Sequence, residues 1–196
     1  RQPVRVLREC ACCGLTATTL GYDVGIMSCA IVLIKEELAL SELKEEVVVG
    51  ALNFVAALGA LVAAQTADAL GRRATILACC ALYVVGTLLM ALARGFWVLL
   101  LGRAVTGLGV GVSFVVTPVY IAEITPARLR GALGAVFDVS INVGIVLGYV
   151  VGFAVETRVS RANVAWRLML GLGLVLPCVV LLTLPALPES PRWLVA

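Results

Sequence analysis

Six apolar runs of about twenty residues or more alternate with short connectors that carry most of the charge. A helix rises about 1.5 Å per residue and a bilayer core is about 30 Å thick, so each run can cross a membrane once. The runs lie at roughly 12–34, 47–66, 74–93, 96–121, 132–155 and 166–187. The 196 residues are 62% hydrophobic and 14% charged, with a mean hydropathy of +1.08. A soluble domain is nearer half apolar and about a quarter charged. The expected fold class is therefore an all-α, integral, multi-pass membrane protein of six transmembrane helices surrounded by lipid.

Composition also excludes chemistry. The chain has no His, which removes a Ser-His-Asp triad, a Cys-His dyad and an H-E-x-x-H zinc site. Asp23 and Asp138 have neither a nucleophile nor metal-ligand partners, so an enzyme is not expected. A net charge of +3, scattered along the chain, argues against nucleic acid as a partner. The cysteines at 10, 12, 13, 29, 79, 80 and 178 lie in or beside apolar runs. With no His and no second C-x-x-C pair to complete a metal set, they read as small packing residues. Palmitoylation of the Cys10–Cys13 cluster is the alternative. No metal and no cofactor are expected. The chain starts at Arg1 rather than Met and stops at Ala196, so it is expected to be part of something longer.

If the N-terminus is cytoplasmic, the inner side carries Arg1, Arg5, Arg8, Arg72, Arg73, Arg128, Arg130 and Arg192. The outer side then carries Lys35, Lys44, Arg94, Arg158, Arg161 and Arg167, a small positive-inside excess. The polar residues within the runs are distributed unevenly. Thr16, Thr19 and Asp23 share one helical face, as do Arg103, Thr106, Ser113 and Thr117, and as do Asp138, Asn142 and Tyr149. The second run adds Asn53 and Gln65. Unpaired polar groups cost several kcal/mol in lipid, so these faces must turn inward. Runs one, four and five, with two, should line a hydrated cavity, and runs three and six should support them from outside.

Asp23 lies 11 residues beyond Cys12, about 16 Å deep, and Arg103 lies seven beyond Phe96, about 10 Å deep from the other side. Their levels differ by only about 4 Å across a core of about 30 Å, so the two charges should pair. At the inner ends, Asp68, Arg72 and Arg73, then Glu123, Arg128 and Arg130, then Glu189 and Arg192 bring acids and guanidinium groups together. Bidentate pairs between helix ends are expected there. Gly102, Gly107, Gly109 and Gly111, and Gly144, Gly148 and Gly152 at four-residue spacing, read as helix-packing surfaces rather than as a nucleotide fingerprint.

These residues carry a resemblance. G-Y-D-V-G (21–25), D-A-L-G-R-R (68–73), G-R-A-V-T-G-L-G-V-G (102–111), P-V-Y-I-A-E-I-T-P-A-R-L-R-G (118–131) and P-E-S-P-R-W (188–193) occur in order along almost the whole chain. Together they resemble the N-terminal six-helix half of a sugar porter of the major facilitator superfamily, a twelve-helix fold. W-R-L-M-L-G-L-G (166–173) and P-E-S-P-R-W-L-V look most like plant-type polyol and monosaccharide proton symporters. The resemblance implies transport of a sugar or polyol with protons as coupling ion, Asp23 as proton acceptor and Arg103 as its partner. It implies a cytoplasmic gating network of Asp68, Gly71, Arg72, Arg73, Glu123, Arg130, Glu189 and Arg192. It also implies a substrate-binding face at Asp138 and Asn142, a C-terminal half that this chain lacks, and a plasma or organelle membrane such as the vacuole's. The sequence departs from the pattern in two places. Ala69 replaces the usual first Arg of D-R-x-G-R-R, and Asp138 stands where hexose members hold Gln and polyol-type members tend to hold Glu. A hexose uniporter and a non-transporting six-helix sensor or regulatory fragment are the competing readings.

Overall fold

The computed structural model describes residues 2–159, 161–183, 189–190 and 193, with side chains from Cys10 onward. Five helices run without interruption: α1 (Gln2–Glu37), α2 (Glu42–Leu70), α3 (Arg72–Ala91), α4 (Phe96–Ile124) and α5 (Arg130–Arg158). The sixth span is two helices, α6 (Ala162–Leu172) and α7 (Val175–Thr183). Six spans are long and apolar enough to cross a membrane, and no strand occurs among the described residues.

The break in the sixth span follows from Pro177. Its ring nitrogen has no hydrogen to give the Gly173 carbonyl, and the ring crowds that carbonyl. The chain tightens instead, with Gly173 N–H donating to Leu170 O and Leu174 N–H to Gly171 O, both at 3.0 Å. Gly71 forms a different junction. It ends α2 and starts α3 at φ +90°, a left-handed conformation that glycine adopts without steric cost. A Cβ there would also lie 2.7 Å from the Glu189 carboxylate.

The helices form two layers. α5, α1, α4 and α2 stand side by side, with α1 against α5, α4 against α2, and α1 touching α4. α3 and the α6–α7 span pack behind them. Glycines set the spacing within and between these layers. On α4, Gly107 and Gly111 face the backbone of α2 at Leu52 and Ala56, while Gly102 and Gly109 face α3 at Gly86 and Cys79. On α5, Gly144 and Gly148 face the α1 backbone between Thr18 and Ile26. These glycines act as the packing surfaces that the spacing implied.

Buried hydroxyls then tie α1 to the rear layer. Tyr22 Oη donates to Met169 O at 2.8 Å, and Tyr83 Oη donates to Thr19 O at 3.1 Å. Cys10, Cys12 and Cys13 are buried in the core, as are Cys79 and Cys80, which fits packing better than an exposed acylation site.

Candidate functional site

Asp23 and Arg103 meet in the middle of the bundle. Arg103 Nη1 lies 2.7 Å from Asp23 Oδ2, and the two residues are only 3% and 4% exposed. The depth arithmetic thus corresponds to a real contact between α1 and α4. A third element takes part that the side-chain pattern could not show. Arg103 Nε donates to the backbone carbonyl of Val48 on α2 at 3.4 Å. The guanidinium therefore links three of the four front helices, and one of its acceptors cannot titrate. Thr106, one turn deeper on α4, hydrogen-bonds within its own helix to Gly102 O at 2.9 Å. Thr16 and Thr19 do the same on α1, so these hydroxyls are satisfied without leaving their helices.

Asp23 borders an open cleft of about 390 Å³. Its wall is built by α1, α2, α4 and α5, through residues such as Val24, Asn53, Ala57, Phe114 and Ile141. No residue of α3, α6 or α7 lines it. Asp138 and Asn142 are exposed on α5, but Ile141 is the α5 residue that reaches this cleft wall. Asn142 Nδ2 donates to Asp138 O at 2.9 Å, so one side of its amide is used within the helix. Asp138 and Asn142, expected to bind substrate, are thus exposed on α5 but are not among the residues that line this cleft.

The C-terminal ends of α2 and α4 and the start of α3 converge on Arg72. Its guanidinium lies 2.9 Å from Asp68 Oδ1 and 3.2 Å from Glu123 Oε2, with a further hydrogen bond to Glu123 Oε1 at 3.4 Å. Glu123 also accepts a hydrogen bond from Ser190 Oγ. Glu189 accepts from the backbone N–H groups of Arg73 and Ser190, each at 3.0 Å. The Trp193 indole N–H donates to Asp68 O at 2.9 Å. This cluster fastens the segment after α7 to the α2–α3 junction and to the end of α4. Arg130 does not join it: the residue is exposed at the start of α5 and forms no ion pair among the described residues. Arg192 lies outside the described residues. Ser190 and Trp193 were missed as cluster members, although both lie in the P-E-S-P-R-W stretch that drew attention through its charges.

The opposite ends of the helices, at the α1–α2 turn and the start of α6, carry a second cluster. Trp166 Nε1 donates to Glu37 Oε2 at 2.6 Å, Arg167 lies 3.9 Å from the same carboxylate, and its guanidinium stacks 4.6 Å from the Trp166 ring. Lys35 pairs with Glu45 at 2.7 Å, across the turn from α1 to α2. No group of His, Cys, Asp and Glu placed to hold a metal occurs among the described residues.

The described residues thus form a cleft walled by four membrane-length helices, with a buried ion pair at its side. The family described as "Sugar (and other) transporter" matches residues 10–196. Polyol transporter 5 of Arabidopsis thaliana is 41% identical over 181 residues, covering 92% of this chain and 33% of that protein. The glucose transporter GlcP of Staphylococcus epidermidis is 35% identical over 174 residues, covering 89% and 38%. Among solved structures, the proton:xylose symporter XylE bound to 6-bromo-6-deoxy-D-glucose superposes with a TM-score of 0.91 at 21% identity, over all of this chain and 47% of that one. The inward-open form of XylE from E. coli gives 0.88 at 22% identity, over 97% of this chain and 50% of that one.

The chain belongs to the family described as "Sugar (and other) transporter", and its six-span fold is that of about half of a solved transporter chain. It is an integral, multi-pass membrane protein and not an enzyme. It spans about a third of the length of the curated relatives it matches and about half of the solved transporter chains.

Proposed function

We propose that this chain is one half of a carrier that moves a sugar or polyol across a membrane by alternating access, driven by protons. A second six-helix half would close the cleft from the opposite side. The observation that carries the reading is the buried Asp23–Arg103 pair at the cleft wall. A charge inside the bilayer costs on the order of 3 kcal/mol or more. Apolar packing could staple α1 to α4 at no such penalty, as replacements of buried ion pairs often show. A carboxylate in that position can accept a proton, weaken its hold on Arg103 and loosen α1 from α4. Arg103 then keeps the Val48 carbonyl as an acceptor, which lowers the cost of the protonated state.

The names of the Arabidopsis relatives support a polyol as substrate, and the name of the glucose transporter GlcP supports a monosaccharide. Asp68, Gly71, Arg72, Arg73, Glu123 and Glu189 form the inner gate in this reading, with Arg130 and Arg192 carried over by resemblance. The plasma membrane is the proposed location. The test is uptake of a panel of polyols, pentoses and hexoses by the intact transporter in vesicles with an imposed proton gradient. Accumulation of at least one substrate with the gradient is expected. Uptake that only equilibrates would make the protein a uniporter, and no uptake at all would favour a regulatory role.

Two predictions concern the gate and the α5 face. Arg72→Ala leaves Glu123 half-buried without its cation, and such a charge-assisted contact is worth roughly 1.5–3 kcal/mol. The variant should still insert in the membrane, transport more slowly, and expose the inner cavity more readily to a cysteine-labelling reagent. Unchanged labelling from both sides would remove these residues from the gate. Asp138→Ala should weaken apparent affinity for the preferred substrate by about ten-fold, if its carboxylate accepts a substrate hydroxyl. A fall in protein abundance at constant affinity would make Asp138 structural.

A further inference from the structure

We propose that Asn53 on α2 is a substrate-contacting residue that reads a hydroxyl of the transported sugar or polyol. The inference rests on the transport reading above and extends the site to a helix that the ion pair reaches only through its backbone. Asp23 and Asn53 are the two polar side chains in the cleft wall, and the rest of that wall is apolar or glycine. Asp23 is already engaged by Arg103. Asn53 is exposed to the cleft, and its amide has no hydrogen-bond partner among the described residues. That distinguishes it from Asn142, whose amide is used within α5.

The position is held by backbone contacts. A Cβ on Gly107 would meet Leu52 O at 2.7 Å, and Gly111 approaches the Ala56 carbonyl more closely still. α2 therefore cannot roll against α4 without backbone collision. The face carrying Leu52 and Ala56 is turned to α4, and Asn53, about 100° further round the helix, faces the cleft with Ala57 and Ala60 beside it. Those two alanines leave room beside the amide for a ring or an extended chain. Asn53 is 11 residues from Glu42, about 16 Å in from the outer end of α2. Asp23 is 14 residues from Glu37, about 21 Å in from the outer end of α1. The two polar groups thus stand at nearly one level of the membrane, on different walls of one cleft.

The chemistry selects the ligand. An amide offers donors and an acceptor together, as does each hydroxyl of a polyol or sugar, so a single hydroxyl can satisfy both sides of Asn53. Asn53 carries no charge and exchanges no proton at physiological pH, so it can select substrate without disturbing the coupling carboxylate.

The experiment is uptake by the intact transporter, comparing wild type with Asn53→Ala against the preferred substrate and its series of single-deoxy analogues. Asn53→Ala should raise the KM by about ten-fold and leave the maximal rate within about two-fold, since one uncompensated hydrogen bond is lost. For one deoxy analogue, removing the hydroxyl and removing the amide should together cost no more than either alone, because both delete the same contact. An unchanged KM, or penalties that multiply for every analogue, would overturn the proposal. If Asn53→Ala does not reach the membrane, Asn53→Ser is read against the same criteria. A wild-type protein that transports none of the panel would instead overturn the transport reading itself, and this proposal with it.

Discussion

Asp23→Asn should abolish accumulation of substrate against a gradient while leaving substrate binding intact. The change removes a titratable carboxylate at almost constant volume and leaves Arg103 with the Val48 carbonyl and a neutral amide as neighbours. The variant mimics the protonated state permanently, so it can bind and exchange substrate but cannot use a proton gradient. The measurement is uptake in vesicles under an imposed proton gradient, paired with substrate exchange at equal pH. Exchange should persist and accumulation should disappear. If Asp23 were a fixed staple, the loss would be in stability instead, since a buried pair deprived of one partner costs about 3–5 kcal/mol. Protein abundance and melting temperature, measured on the same preparation, separate the two outcomes. A variant that still accumulates substrate in a pH-dependent manner would place the proton elsewhere, with Asp138 the next carboxylate to test.

The second large effect is expected at a residue with no chemistry of its own. Gly111→Ala should destabilise the bundle by about 3 kcal/mol, at the upper end for overpacking, because the new methyl would overlap the Ala56 carbonyl of α2. Helix propensity alone predicts the opposite, a gain of about 1 kcal/mol for Gly to Ala within a helix. Gly50→Ala supplies the control. A Cβ at that position meets nothing within 4 Å, so the substitution should be neutral or mildly stabilising. Thermal melting of both variants in detergent measures the contrast. Equal melting temperatures would mean that α2 and α4 can separate without cost, which would also weaken the argument that Asn53 is held in place.

Much of this protein is legible along a single coordinate. The bilayer converts sequence position into depth, because a helix advances a constant distance per residue across a slab of known thickness. The six spans, the common level of Asp23 and Arg103, and the gathering of Asp68, Arg72, Glu123 and Glu189 at one membrane face all follow from that conversion. Helical periodicity adds which side chains share a face, but not what the face meets. α1, α2, α4 and α5 do line the cleft, yet of their described polar residues only Asp23 and Asn53 reach it. Thr16, Thr19 and Ser113 lie instead against Cys79, Cys80 and Tyr83 of α3 and Pro177 of α7.

Depth and periodicity do not say which helix stands opposite a given face. That information comes from packing between segments distant in sequence, and only the folded chain supplies it. The glycines of α4 look like one continuous stripe in the sequence, yet two of them face α2 and two face α3, because α4 is held between those helices. The Val48 carbonyl became an acceptor for Arg103 because backbone contact between α2 and α4 brought it within reach, and a carbonyl leaves no mark in a residue pattern. Arg130 has the composition of a gate residue but is exposed at the first position of α5 and forms no ion pair among the described residues. Asn53 could be recognised from the sequence as a polar residue in an apolar helix. Its place in the cleft beside Asp23 was decided by the close approach of α2 to the glycines of α4, which fixes the helix's rotation about its own axis.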